Sequence, residues 1–188
     1  MRERRYVVRR ILKPSAELIW FSRLDPQEKR LVRDAIDRRE CAQAPYSHYH
    51  VGAAVIGRGT VFVGCNVERA SYSQTTHAEQ GAIDSLVATY GPTPIDAIAV
   101  AGAPAGCPWR LDEMEREPSS SPDWDEAVSG AAFPCGQCRQ IIWENANGNR
   151  DLPVLCAVQR TGWVIRTTIG TLFPYPFGPD DLGLKIFR

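Results

Sequence analysis

Two short stretches, Thr76-His77-Ala78-Glu79 and the distant Pro134-Cys135-Gly136-Gln137-Cys138, hold the residue types of a catalytic zinc site. His77, Cys135 and Cys138 offer one imidazole and two thiolates. Three protein ligands leave the fourth position of a tetrahedral zinc ion open to water. Glu79 stands two residues beyond His77, within reach of that position without being a ligand. A carboxylate placed there takes a proton from water and redelivers it to a substrate nitrogen. Each half alone has plainer readings, since a lone Cys-x-x-Cys is also half of a structural zinc site or a redox pair. Structural zinc needs a fourth ligand, and the other histidines, His48 and His50, stand in a different stretch. A redox pair leaves His-x-Glu without a purpose. The combination is far more specific than either half.

The elements that must position these residues are legible. Asp25-Pro26-Gln27-Glu28 combines an N-cap, a first-turn proline and a glutamate at the third helical position, which predicts a helix through Glu40. Val51–Ile56 and Thr60–Gly64 read as strands joined across Gly57-Arg58-Gly59. Thr76 to Tyr90 reads as a helix closed by Gly91-Pro92, with Ala78, Ala82, Ile83, Leu86 and Val87 inward. Ile95–Ala101 reads as a buried strand and Cys135 to Asn147 as another helix. Pro153–Val158 and Trp163–Thr168 read as two further strands. The alternation predicts an α/β layered domain. It also puts His77 and Cys135 at helix starts, where the dipole and free N–H groups favour thiolate.

Composition narrows the field. The 188 residues are 44% apolar and 23% charged, ordinary for one globular domain with extensions and unlike a disordered or collagenous chain. Twenty-two basic residues balance twenty-two acidic ones, which disfavours a strongly basic nucleic-acid binder. No apolar run approaches the roughly 18 residues of a membrane span. Arginines interrupt the apolar residues of the first fourteen positions, so no signal-peptide core is expected and a cytoplasmic location is. Cys41, Cys65, Cys107 and Cys156 are expected to be free thiols acting as small buried or half-buried hydrophobes. Residues 1–39 carry +6 and residues 107–134 carry −5. Residues 1–24, ahead of the helix start at Asp25, are expected to be a basic N-terminal extension. The Pro-, Ser- and acid-rich stretch 104–132 is set apart as an insertion without sustained period, either spacer or lid.

His-x-Glu with Pro-Cys-x-x-Cys is the signature of zinc nucleobase deaminases, and more of the chain resembles one branch of them. Ala44-Pro45-Tyr46-Ser47-His48-Tyr49-His50-Val51-Gly52-Ala53-Ala54 is similar to the APYS-x-F-x-VGAA segment of cytidine deaminases acting on free nucleosides. Gly64-Cys65-Asn66-Val67-Glu68-Arg69-Ala70-Ser71-Tyr72 is similar to their GCN-[VI]-E-x-A-S-Y segment. Leu172-Phe173-Pro174-Tyr175-Pro176-Phe177-Gly178-Pro179-Asp180-Asp181-Leu182 is similar to their tail. The matches run in order over residues 40–183, interrupted at 104–132.

The resemblance implies a three-layer α/β/α domain with a mixed sheet, residues 25–188, and Zn²⁺ on His77, Cys135 and Cys138. It implies Glu79 as proton carrier, and Asn66 and Glu68 on the ribose 3′-hydroxyl. Tyr49 falls where the family places a phenylalanine beside sugar and base, though core packing explains it about as well. Phe177 matches an aromatic that crosses a subunit interface, implying a homotetramer, with a dimer as the alternative. His77 followed by Gln80, in place of a third cysteine followed by arginine, resembles the larger two-domain deaminases. The implied reaction is hydrolytic deamination of cytidine or deoxycytidine, within pyrimidine metabolism. Alternatives are a modified cytosine nucleoside, a polynucleotide bound by the basic arm, or a zinc protein without catalysis. Clasping a 3′-hydroxyl argues against the polynucleotide, and an unliganded Glu79 beside the metal argues against the last.

Overall fold

The structure is a computed structural model that describes residues 15–109, 111–116 and 118–187. A six-stranded sheet runs in the order β1-β6-β5-β4-β2-β3, made of β1 (Ala16–Trp20), β2 (Tyr49–Gly57), β3 (Thr60–Cys65), β4 (Ala97–Pro104), β5 (Pro153–Ala157) and β6 (Trp163–Thr168). Only β4 and β5 pair in parallel, so the sheet is mixed.

Side-chain alternation assigns the two faces. Ala53, Val55, Ile98, Val100, Val154, Cys156 and Ile165 point to one face, where α2 (Ala78–Tyr90) and α5 (Gly136–Asn145) supply Ala82, Ile83, Leu86 and Ile142. Ala54, Ile56, Ala97, Ala99, Leu155 and Val164 point to the other, against Leu31, Val32, Ala35 and Ile36 of α1 (Pro26–Arg39). This is the period-2 rule applied to a sheet buried on both sides, and it makes the expected three-layer α/β/α domain.

The local signals hold where they are strong. Asp25 accepts from the amides of Gln27 and Glu28 at 2.8 Å each, and Glu28 returns a bond to the Asp25 amide, completing the capping box. Arg58 and Gly59 both take positive φ in the two-residue β2–β3 turn, matching the twist of the flanking strands.

One expectation needs correction. Residues 1–24 are not all extension, because Ala16–Trp20 pairs along β6 and Glu17 pairs with Arg166 across that edge; the basic residues 1–14 lie outside the described residues. The stretch 104–132, without sustained period in the sequence, carries two short helices, α3 (Leu111–Met114) and α4 (Trp124–Gly130). Its first half is docked: Met114 is 2% exposed in the α1-side core, and Glu115 pairs with Lys29 and Arg33. The Arg39 side chain, 1% exposed, donates to the carbonyls of Pro104 and Cys107. Its guanidinium carbon lies 5.2 Å from the Trp109 ring centroid. A buried cation needs such partners, and here they all belong to the insertion's root or to neighbouring Glu40.

Candidate active site

Helix starts bring the predicted ligands together. His77 is the N-cap of α2 and Cys135 the N-cap of α5, and neither cap makes a side-chain hydrogen bond to its helix. Their side chains instead face one another. His77 Nδ1 lies 3.5 Å from Cys135 Sγ and 3.3 Å from Cys138 Sγ. Around a tetrahedral zinc ion with usual Zn–S and Zn–N bonds, such an N···S separation is about 3.5 Å, so the spacing fits the ion. Among the described residues, these three form the one metal-competent group of His, Cys and acidic side chains.

Electrostatics points the same way. Burial pushes the Cys138 thiol up strongly, and the adjacent Glu79 and Cys135 push it further. Glu79 is 5% exposed. Burial raises its carboxyl above the ordinary range, opposed by bonds from its own backbone and Cys138 and by the nearby His77. Cys138 and Glu79 are buried side by side, where two anions would repel, and a bound divalent cation removes that repulsion.

A cavity of about 510 Å³ opens in front of this group. Tyr49, Asn66, Glu68, His77, Glu79 and Cys135 all line it, while Cys138 is buried behind it. Phe177 does not join them. It lies on the tail, 59% exposed, its carbonyl accepting from Gln140 at 2.8 Å. Tyr49 is 37% exposed, so it is a cavity wall rather than a core residue; burial of its ring nevertheless raises the hydroxyl pKa.

Asn66 and Glu68 already have partners. Asn66 donates to the Tyr49 carbonyl at 2.9 Å and accepts from the Val51 amide at 2.8 Å. Glu68 accepts from the amides of Tyr46 and Ser47 at 3.0 and 3.2 Å and from the Ser47 hydroxyl at 2.5 Å. The Ser47 hydroxyl is the first cause that holds the Glu68 carboxyl below its usual range. An amide has two donors and two lone pairs, and a carboxylate about four acceptor positions. Both side chains therefore keep capacity for a ligand hydroxyl, and their protein bonds fix where it is offered.

Sequence reasoning missed several wall residues. Ser47, Thr75 and the run Ala131–Phe133 line the cavity. Ser47 was visible within the quoted Ala44–Ala54 segment. Ala131 and Ala132 end the insertion, Phe133 follows it, and all three had no signal except adjacency to Pro134-Cys135.

Residues 25–150 match the family description "Cytidine and deoxycytidylate deaminase zinc-binding region". The chain belongs to this family. It is 32% identical over 155 residues to the cytidine deaminase of Sporosarcina psychrophila, covering 82% of this chain and 93% of that protein. A 30% identity over 142 residues relates it to the cytidine deaminase of Mycobacterium tuberculosis H37Rv, covering 75% and 82% of the two chains. The crystal structure of the Burkholderia pseudomallei cytidine deaminase superposes with a TM-score of 0.58 at 36% identity, over 79% of this chain and 97% of that one. The family's zinc-binding region thus coincides with the His77, Cys135 and Cys138 group, and this chain is a zinc-dependent hydrolase.

Proposed function

We propose that this protein deaminates cytidine and deoxycytidine, adding water at ring C4 and releasing the exocyclic nitrogen as ammonia. The observation that carries this reading is buried Glu79 standing beside a zinc-spaced His77, Cys135 and Cys138 group at the wall of one cavity. A zinc ion held by these three residues supplies Lewis acidity that lowers the pKa of water to about 7. Glu79 takes the proton that water gives up and passes it to ring N3, then carries another to the departing amine at C4. Its burial suits the work, because a carboxyl with a raised pKa is held readily in the protonated state. Asn66 and Glu68 use their remaining hydrogen-bonding capacity on the ribose 3′-hydroxyl, which fixes the ring relative to Glu79.

The cavity's charge supports a nucleoside over its 5′-monophosphate. Two glutamates line it and, among the described residues, no Lys or Arg does, so a 5′-phosphate would find no guanidinium or ammonium to pair with. A chain continuing past the 3′-oxygen would lose the hydroxyl contact, which disfavours a polynucleotide. A modified cytosine nucleoside is the second reading, favoured by one observation: the unusual insertion ends in cavity wall, at Ala131 and Ala132, with Phe133 following. The resemblance of the tail extends the proposal to a homotetramer in which Phe177 serves a neighbouring subunit. Its exposure in the single chain supports that role. We place the enzyme in the cytoplasm, in pyrimidine metabolism; no helix among the described residues is long and apolar enough to cross a membrane.

Ammonia release measured across cytidine, deoxycytidine, their 5′-monophosphates, free cytosine and amino-bearing cytosine nucleosides tests the reading. Turnover of the first two above the rest is expected. Preference for a monophosphate or for the free base would overturn it.

A further inference from the structure

Behind the cavity strip Asn66–Glu68 lie two cysteines that the deamination chemistry does not use. Cys65 ends β3 and donates its thiol to the carbonyl oxygen of Cys41 at 3.4 Å. That oxygen is two bonds from the Cys41 α-carbon, so the Cys65 sulfur lies against the backbone from which the Cys41 side chain springs. Cys41 is exposed and Cys65 half-buried, and both are reduced. Arg38 offers a guanidinium donor to the Cys41 sulfur at 3.8 Å. Burial, then the neighbouring Cys41, hold the Cys65 thiol above its ordinary range; by its greater exposure Cys41 is the sulfur that solvent reagents meet first.

We propose that Cys41 and Cys65 form a reversible disulfide that sets how tightly the cavity holds its substrate. The oxidant is a small-molecule disulfide. The Cys41 sulfur attacks it, forming a mixed disulfide and releasing one thiol. The Cys65 sulfur then attacks the Cys41 sulfur, expelling the second thiol. The two cysteine protons leave with the two released thiols, and two electrons pass from the cysteines to the reagent.

The coupling to the cavity runs through short backbone bonds. The Gln43 amide donates to the Asn66 carbonyl at 3.0 Å, and the Glu68 amide donates to the Gln43 carbonyl at 2.8 Å. The segment after Cys41 is thus zipped to the segment after Cys65, and Ser47, four residues past Gln43, holds the Glu68 carboxylate. Making the disulfide requires Cys65 to leave the Cys41 carbonyl, which shifts the two chains at the root of this zipper. Asn66 follows Cys65 directly, so substrate grip changes while Glu79, on another element, keeps its place.

The effect on activity rests on the nucleoside reading; the disulfide itself does not. Zinc-loaded protein is equilibrated in a thiol/disulfide buffer, trapped by alkylation, and mapped by mass spectrometry with its zinc content measured. A peptide linking Cys41 to Cys65, reversed by a dithiol and formed without zinc loss, is expected. The KM for cytidine should rise severalfold in that state with kcat nearly unchanged, and Cys41→Ser should show neither change. Absence of the linked peptide overturns the proposal, as does oxidation of Cys135 to Cys138 with zinc release in its place. A linked peptide with an unmoved KM overturns the coupling. A chain inactive in both states counts against the nucleoside reading alone, since the peptide map still decides the cysteine pair.

Discussion

Gly64 on β3 sits directly against the Ala78 carbonyl on α2: a β-carbon at residue 64 would come within 2.4 Å of that oxygen and 2.5 Å of the Ala82 nitrogen. Two residues beyond Gly64 stands Asn66, and Ala78 lies between His77 and Glu79. The close approach of these backbones therefore sets the spacing between the proposed sugar contacts and the metal group. Gly64→Ala must push α2 off the strand. We expect a loss of at least about 1–3 kcal/mol, as for other overpacked contacts, read by denaturant unfolding, together with reduced zinc retention.

Glu79→Gln keeps the size and hydrogen bonding of the side chain but removes the proton it carries. Zinc content should stay at about one per chain, while turnover falls by at least the roughly 10²–10⁴ typical of losing a general acid or base. Near-normal ammonia release from zinc-loaded protein would assign the proton transfer to another group.

Cys138→Ala should lose the metal, since two ligands remain on a site that needs three. Because the ion would tie the start of α2 to the start of α5, thermal stability should fall with it. Full zinc retention, measured by elemental analysis, would refute the ligand assignment.

The bond from Ser47 to Glu68 gives a pH-dependent stability with a definite sign. The folded protein holds Glu68 below its usual pKa, first through the Ser47 hydroxyl. Its contribution is complete above the unfolded-state value near 4.5 and is lost as pH falls through the lower folded value. Ser47→Ala should thus destabilise the protein at neutral pH, and the gap from the native chain should shrink as the solution is acidified below that range. A gap that stays constant across the titration would show that the hydroxyl does not act through the carboxylate.

The first half of the insertion and the wall residue just past its end should respond differently to substitution. Met114→Ala, deep in the α1-side core, should cost about 2–5 kcal/mol and leave specificity intact. Phe133→Ala, in the cavity wall, should shift relative kcat/KM toward bulkier cytosine nucleosides. Unchanged specificity in the second variant would reduce that junction to a spacer.

How much of this was legible in the sequence depended on how local the cause was. The capping box at Asp25 and Glu28, the Arg58-Gly59 turn and the helix starts at His77 and Cys135 are each specified within a few residues, and the structure forms them. The metal group was legible because its chemistry demands particular residue types whatever the path between them. What escaped was non-local. Ala16–Trp20 becomes a strand because β6, nearly 150 residues away, offers it a ladder. Arg39 reads as one surface arginine among nineteen until the insertion folds back to supply carbonyls and an indole for its buried charge. Cys41, expected to be at least half-buried, is exposed because it falls in the turn after α1, beyond the core-facing residues of the helix.

By itself, then, the sequence determined the layered fold and the zinc chemistry, because periodicity, caps and ligand types act at short range or through element identity. Only the tertiary structure decided which atoms meet. It anchored the first half of the insertion and set only Ala131–Phe133, just before Cys135, in the cavity wall, and it gave Asn66 and Glu68 backbone partners that aim their remaining capacity inward. It also set Cys65 against Cys41. Those outcomes depend on close packing between segments far apart in the chain, which no local pattern encodes.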